Sequence, residues 1–433
     1  MEPERFWTYI DRKRKRHGLP THMALEEEVV EDDVSITSLF ARHFSSAYSA
    51  QSQHCQDALR FTAPHSDDPE LLNPPLTERE VMDVLSNPDA RKSAGPDGIP
   101  ASFWRKTARY FAPSLTVLFN QSLSDGIFPS AWKSYTSPIC ATKSTTIAKF
   151  CVSKMMDKLM CLRLTTVFKD IISDRQHGLM TRKSTTTNLT QFVGAVKEAM
   201  EAGYQVDALY LDFSKAFDCL NHVLMIEKLA KYGVSRSALK WFHSYLTGRT
   251  LQVKIGDSMS QPYIAGSGVP QGSHLGPMLF LIYAQDLVEF LGDTEFSLYA
   301  DDLKLSRVIR NINDCLSLQS CLTSVMEWGD RNQLQLNPSK CQTITFNRAR
   351  RSVSAMYHLG ASELKRVSEV KDLGVVLDTR LDFNVHIDRT ISKCRAALGL
   401  INRFAREFGD PRIHRTLYCA LVRSSLDYSN NFS

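Results

Sequence analysis

Apolar positions recur along this chain in two rhythms, one suited to helices and one to strands, after a polar lead. Residues 1–75 mix charge blocks with one amphipathic piece, "SITSLFARHFSSAYSA", and the turn-rich stretch from Ala50 to Pro75 reads as a linker. From Leu76 the spacing becomes helical, and "LTEREVMDVLSN" predicts a helix with Thr77 at its N-cap. "LYLDFSKAFDCLNHVLMIEKLAKYGV" reads strand, turn, helix, closed by Gly233. "SRSALKWFHSYLTGR" predicts another helix ending at Gly248, and "TLQVKIGD" a strand with a turn. The glycine-rich "GSGVPQGSHLGP" leads into an apolar helix, "MLFLIYAQDLVEFL", and "EFSLYADDLKLSRVI" fits two short strands folded about Asp301 and Asp302. Strands alternating with helices, plus a hairpin, predict an α+β fold rather than a doubly wound sheet.

Composition narrows this picture only a little. A chain of 433 residues has room for one large domain or several ordinary ones. Lys plus Arg exceed Asp plus Glu by 52 to 47, a mildly basic balance that suits a polyanionic partner and plain solubility equally. Its ten cysteines include no Cys-x-x-Cys, which argues against zinc knuckles and fingers. The opening "MEPERFWTYIDRKRKRHGLP" lacks the apolar segment of a secretory signal, and "GPMLFLIYAQDLVEFL" is too short and interrupted to span a bilayer. An intracellular protein with reduced thiols is expected, in the nucleus or cytoplasm. The basic run Arg12–His17 reads first as a solvated face, with a nuclear address or phosphate contact as the alternatives.

Candidate chemistry starts in "LYADDLKL", where Asp301 and Asp302 interrupt an apolar run. Buried unpaired charge is costly, so these carboxylates need a compensating partner. Adjacent side chains of one extended strand point to opposite faces, so only a turn lets both address one site. Alone, the pair reads as a surface β-turn. Asp212 changes that reading, because it ends a second apolar strand. Three carboxylates at the ends of two strands form an oxygen-donor set suited to Mg²⁺. Two such ions about 4 Å apart clamp the attacking and leaving oxygens of a phosphoryl transfer.

The order of Asp212-Phe-Ser-Lys-Ala-Phe217-Asp, then Gly-Val-Pro270-Gln271-Gly272-Ser, then Tyr299-Ala-Asp301-Asp302 resembles the palm of a reverse transcriptase. More narrowly it is similar to the enzyme of non-LTR (LINE-type, jockey-like) retrotransposons. "AGPDGIP", "GIFPSAWK", "ISDRQHGL", "STTTNL", "NQLQLNPSKCQTITF" and "VKDLGVVLDTRLDF" carry the likeness from about Ile36 to Tyr428. The resemblance implies a right-hand polymerase (fingers, palm and partial thumb) with a helical N-terminal extension. Its expected divisions are 1–75, linker and N-terminal region; 76–121, extension of the fingers; 122–378, fingers and palm; and 379–433, partial thumb.

Carried over residue by residue, the resemblance makes Asp212 and Asp301 metal ligands, with Asp302 adjacent and supporting, and the backbone carbonyl of Phe213 a further ligand. The implied cofactor is a pair of Mg²⁺ ions, with Mn²⁺ as the alternative. Implied partners are an RNA template, a DNA primer or nicked target DNA, and dNTPs, with no membrane. Phe217 stands where the family places a ring that excludes a ribose 2′-hydroxyl; a core phenylalanine is the rival reading. Pro270, Gln271 and Gly272 would face the nucleotide, and Lys340 would protonate the leaving pyrophosphate. Lys215 is read as a structural or surface lysine. Gly95 and Gly98, with Arg91, Lys92, Arg105 and Lys106, are candidate template contacts, or an irregular turn with a solvated basic flank. Arg182, Lys183 and Ser184 are candidate phosphate contacts, with helix capping by Ser184 or Thr185 as the competing explanation.

The family pattern breaks after Pro138, where "CATKSTTIAKFCVSKMMDKLMCLRL" replaces a lysine hairpin and a Tyr-Arg-Pro-Ile segment. A shortened fingers loop is the simpler expectation there; the alternative is that Lys143 and Lys149 substitute for the missing cations. The chain is also expected to be a fragment lacking an endonuclease domain and the rest of the thumb. A second expectation follows from these gaps: an impaired relic of an element that binds nucleic acid without turnover.

Overall fold

The computed structural model describes residues 23–25, 28–46, 48, 72, 74–87, 99–138, 151–348, 353–405 and 410–429. Nearly all of the expected linker, the run Arg12–His17, and Arg91, Lys92, Gly95, Gly98, Lys143 and Lys149 lie outside the described residues. The shortened fingers loop therefore lies there too.

A five-stranded sheet organises the rest. Its strands are β1 (Gln205–Asp212), β2 (Glu295–Tyr299), β3 (Asp302–Ile309), β4 (Gln342–Phe346) and β5 (Lys365–Val367), in the order β5-β4-β1-β3-β2. Neighbours are antiparallel except β4 and β5. The period of β1 explains why both faces are covered. Val206 and Ala208 enter a core with Leu189, Phe192, Ile344 and Phe346, whereas Leu209 and Leu211 enter a larger one with Phe242, Leu279 and Trp328. Alternate side chains point to opposite faces, so an apolar run on β1 needs a layer on each side.

The helix Thr185–Glu201 covers the first face through Leu189, Phe192, Val196 and Met200. Helices His222–Lys231, Arg236–Leu246, Leu275–Ala284 and Ile312–Arg331 fill the second. This mixed arrangement of helices and an antiparallel-dominated sheet agrees with the expected α+β class. A smaller sheet sets Ser134–Pro138 parallel to Arg249–Ile255, which also pairs with Ser258–Met259 and Tyr263–Ala265. C-terminal to the main sheet, the hairpin Glu369–Asp372/Val375–Asp378 precedes the helix Asn384–Ala405. Among the described residues no helix is long and apolar enough to cross a membrane.

Local chemistry accounts for where elements start. Glu78–Ser86 begins at Thr77 with a reciprocal capping box to Glu80. Glu80 also accepts from Arg163 at 3.0 and 2.9 Å, tying this helix to Cys151–Phe168. Two expectations need adjustment. The single helix expected after Asp212 is two, Ala216–Cys219 and His222–Lys231, because Asn221 caps the second through Val223 and Leu224. The apolar helix starts at Leu275, not Met278, since Pro277 is tolerated in a first turn. It becomes a 3₁₀ helix over Gln285–Phe290. The helix Ala101–Asp125 ends at left-handed Gly126.

Candidate active site

Register, more than the turn alone, gathers the carboxylates. Asp212 ends β1, Asp302 begins β3, and the two are direct cross-strand partners. Such partners project from the same face with Cβ atoms about 4.5–5.5 Å apart. Tyr299 pairs with Asp302, so the hairpin loop is Ala300–Asp301 rather than the Asp301–Asp302 expected from the sequence. Ala300 takes φ +55°, the left-handed conformation that two-residue hairpins favour at their first loop position. Asp301 thus projects from the turn beside the Asp212–Asp302 pair.

Crowding of like charge shows in their acidities. Asp302 is exposed at its tip, yet the surrounding protein desolvates its carboxyl, and Asp301, Asp212 and Asp372 add repulsion; its pKa rises to about 6. Asp301 is raised by desolvation and then by Asp212. One cation answers directly: Lys340 Nζ lies 2.9 Å from Asp212 Oδ2, and that bond raises the lysine. The set offers oxygen donors only, and its raised carboxyls mark an excess of negative charge. Those features fit a hard divalent cation, although among the described residues no three His, Cys, Asp or Glu side chains are already gathered at ligand geometry.

Beside the carboxylates opens a cleft of about 440 Å³ lined by Tyr210, Asp212, Asp302, Lys304, Lys340 and Asp372, among others. Its floor holds a buried ion pair, Lys304 Nζ to Asp372 Oδ2 at 2.9 Å. Asn188 Oδ1 accepts from Lys304 at 2.5 Å, and Tyr210 donates to Asp372 at 3.1 Å. Sequence reasoning passed over this network. Its one signal was a lysine inside the apolar run "DLKLS", a position that requires a buried counter-charge.

Phe213 is buried, 5.8 Å ring to ring from Trp328, and bridges to Leu336. That bridge uses the Asp212 carbonyl and the Ser214 amide, which flank Phe213. Phe217 is half-buried and lies 4.7 Å from Phe280. Its carbonyl accepts from Val269 at 2.8 Å, so the Pro270-Gln271-Gly272 loop is fastened to the segment carrying the ring. Gly268 makes this approach possible: at φ +78°, an added Cβ would stand 2.6 Å from the Asp218 carbonyl oxygen. Gln271 and left-handed Gly272 are exposed, and Gln271 Nε2 donates to Asp218 Oδ1 at 3.0 Å. Burial raises Asp218, which sequence reasoning did not single out.

Ser184 is the N-cap of Thr185–Glu201 in a capping box with Thr187, so the capping explanation describes its side chain. Lys183 Nζ donates to the Asp174 carbonyl at 2.5 Å, and Arg182 is exposed with φ +65°. Lys215, Arg105 and Lys106 are exposed.

Residues 146–377 match the family model described as reverse transcriptase (RNA-dependent DNA polymerase). The chain is 27% identical over 381 residues to the probable RNA-directed DNA polymerase from transposon BS of Drosophila melanogaster, covering 81% of this chain and 41% of that protein. It is 28% identical over 377 residues to the RNA-directed DNA polymerase from mobile element jockey of Drosophila funebris, again 81% and 41%. With the Pol polyprotein of the type-1 element R1 of Bradysia coprophila it shares 25% over 362 residues, 78% of this chain and 35% of that protein. The chain thus spans about two-fifths of the length of the curated relatives it matches.

Proposed function

Because the chain belongs to the reverse transcriptase (RNA-dependent DNA polymerase) family, we propose that it is the polymerase part of a jockey-like non-LTR retrotransposon enzyme. It adds dNTPs to a DNA primer, or to nicked target DNA, on an RNA template. The observation that carries this reading is the register that pairs Asp212 with Asp302 and leaves Asp301 in the adjoining turn.

Asp212 and Asp301 would hold the divalent cations, Mg²⁺ or in its place Mn²⁺, with Asp302 beside them and the Phe213 carbonyl as a further oxygen donor. When bound, these ions supply charge neutralisation at the attacking 3′-oxygen and the departing pyrophosphate. Lys340, already within hydrogen-bond reach of Asp212, donates its proton to the leaving group as charge develops there. The Phe217 ring, backed by Phe280, excludes a 2′-hydroxyl. Pro270, Gln271 and Gly272 present exposed backbone and an amide to the nucleotide; Arg182 and Lys183 contact backbone phosphates near the Thr185–Glu201 helix. Gly95 and Gly98 are proposed as template contacts on the resemblance alone.

In fold terms this is a right hand, with fingers and palm over 122–378 and the start of a thumb over 379–433, preceded by the helical extension 76–121. The protein acts inside the cell, where element RNA meets DNA in the nucleus or cytoplasm.

Primer extension on poly(rA)/oligo(dT) with dTTP tests the reading. Magnesium-dependent extension by the wild type, abolished in Asp301→Asn, is expected. Equal extension by both proteins, or binding of the primer–template without extension, sinks it.

A further inference from the structure

The hairpin that carries Asp301 depends on a strained residue. Ala300 sits at φ +55°, where an L-residue pays a steric cost that glycine does not, so its surroundings must hold it there. One buried side chain does so. Gln176 is 3% exposed, and its Oε1 accepts from the amides of both Ala300, at 3.0 Å, and Gly178, at 2.8 Å. Its Nε2 faces the Ala300 carbonyl at 3.4 Å, so a single amide engages both backbone groups of the strained residue.

Everything around Gln176 keeps that amide in place. Its backbone forms a parallel bridge with Leu298, with Leu298 N–H donating to the Arg175 carbonyl at 3.0 Å and His177 N–H to the Leu298 carbonyl at 2.9 Å. An added Cβ at Gly178 would stand 2.3 Å from the Ala300 nitrogen, so only glycine lets the segment dock this closely. The buried His177 ring meets Thr187 Oγ1 at 2.9 Å and Gln191 Oε1 at 3.0 Å, anchoring the segment to the helix Thr185–Glu201. Asn188 on that helix donates to the Leu298 carbonyl at 3.1 Å. The helix and the hairpin are therefore joined both directly, through Asn188, and through the docked tetrapeptide Arg175–Gly178.

We infer that Gln176 is a positioning residue for nucleotidyl transfer: its amide clamps Ala300 in the left-handed conformation and thereby aims the Asp301 carboxylate at Asp212 and Asp302. Its effect on catalysis rests on the polymerase reading above; the clamp itself does not.

Gln176→Met keeps the volume and removes the hydrogen bonds. Two readouts in the full chain separate the possibilities. Hydrogen exchange of the peptide spanning Leu298–Leu303 is expected to accelerate at least about fivefold in Gln176→Met, the factor for one lost net hydrogen bond, while distant peptides keep their rates. Unchanged exchange there overturns the clamp, whether or not the protein polymerises. In primer extension, kcat is expected to fall at least about tenfold, with the dNTP KM within about threefold of wild type. Ala300→Gly removes the strain, so the loss caused by Gln176→Met should shrink by about fivefold in that background. An equal loss in both backgrounds assigns Gln176 a merely structural role and overturns the positioning. If the wild type fails to extend at all, the polymerase reading falls, and the exchange measurement still decides whether Gln176 holds the turn.

Discussion

Neutralising Asp302 should stabilise the metal-free protein while impairing its chemistry. In Asp302→Asn the side chain keeps its shape and loses the charge that faces Asp301, Asp212 and Asp372. The Asp302 pKa stands at about 6 against an ordinary 3.8, displaced first by desolvation and then by those neighbours. That displacement corresponds at most to about 3 kcal/mol of unfavourable interaction for the ionised form. The side chain reaches solvent and salt screens it, which reduces the figure to about 1 kcal/mol. Because the folded-state pKa is raised, the contribution to stability is complete below 3.8 and is lost as pH rises through about 6. Asparagine cannot ionise, so the variant's advantage should be absent near pH 4 and full at pH 8. Urea denaturation in EDTA at both values measures it, and millimolar Mg²⁺ should narrow the gap at pH 8 by relieving the wild type. A variant no more stable than wild type at pH 8, or an advantage independent of pH, refutes the picture of a mutually repelling carboxylate cluster.

Lys304→Met leaves Asp372 buried without its cation and should cost about 3–5 kcal/mol in denaturant titration. Removing both charges in Lys304→Met/Asp372→Leu should recover most of that loss; equal destabilisation by the single and double variants contradicts the pairing. Phe217→Ala should raise incorporation of ribonucleotides relative to deoxyribonucleotides in an otherwise active protein, and an unchanged ratio returns Phe217 to the core.

The features legible in the sequence were those whose meaning is local. Asp212 and Asp301–Asp302 stand out because they end or interrupt an apolar run of sequence, and the Pro270-Gln271-Gly272 loop because its glycines punctuate a helix start. Thr77 was readable as a cap for the same reason. The features that stayed hidden depend on partners far along the chain. Gln176 meets Ala300 across 124 residues, Lys304 meets Asp372 across 68, and Gln271 meets Asp218 across 53. No periodicity encodes such pairings. The helix Thr185–Glu201 is legible only as the alternative of capping by Ser184 or Thr185: it opens on three threonines and an asparagine, residues of modest helix propensity, and its capping box and the core beneath it decide its form. The break at Asn221 shows the reverse case, where a strong local cap splits a run whose apolar spacing suggested one helix.

On the proposed reading, Asp212 and Asp301 form the site of template-directed nucleotidyl transfer. Single-turnover addition of dTTP to a preformed complex with poly(rA)/oligo(dT) in Mg²⁺ tests it most directly. Asp212→Asn and Asp301→Asn should each slow the chemical step at least about a hundredfold while binding the primer–template as tightly as wild type. Rates within tenfold of wild type for either variant would remove that carboxylate from the chemistry.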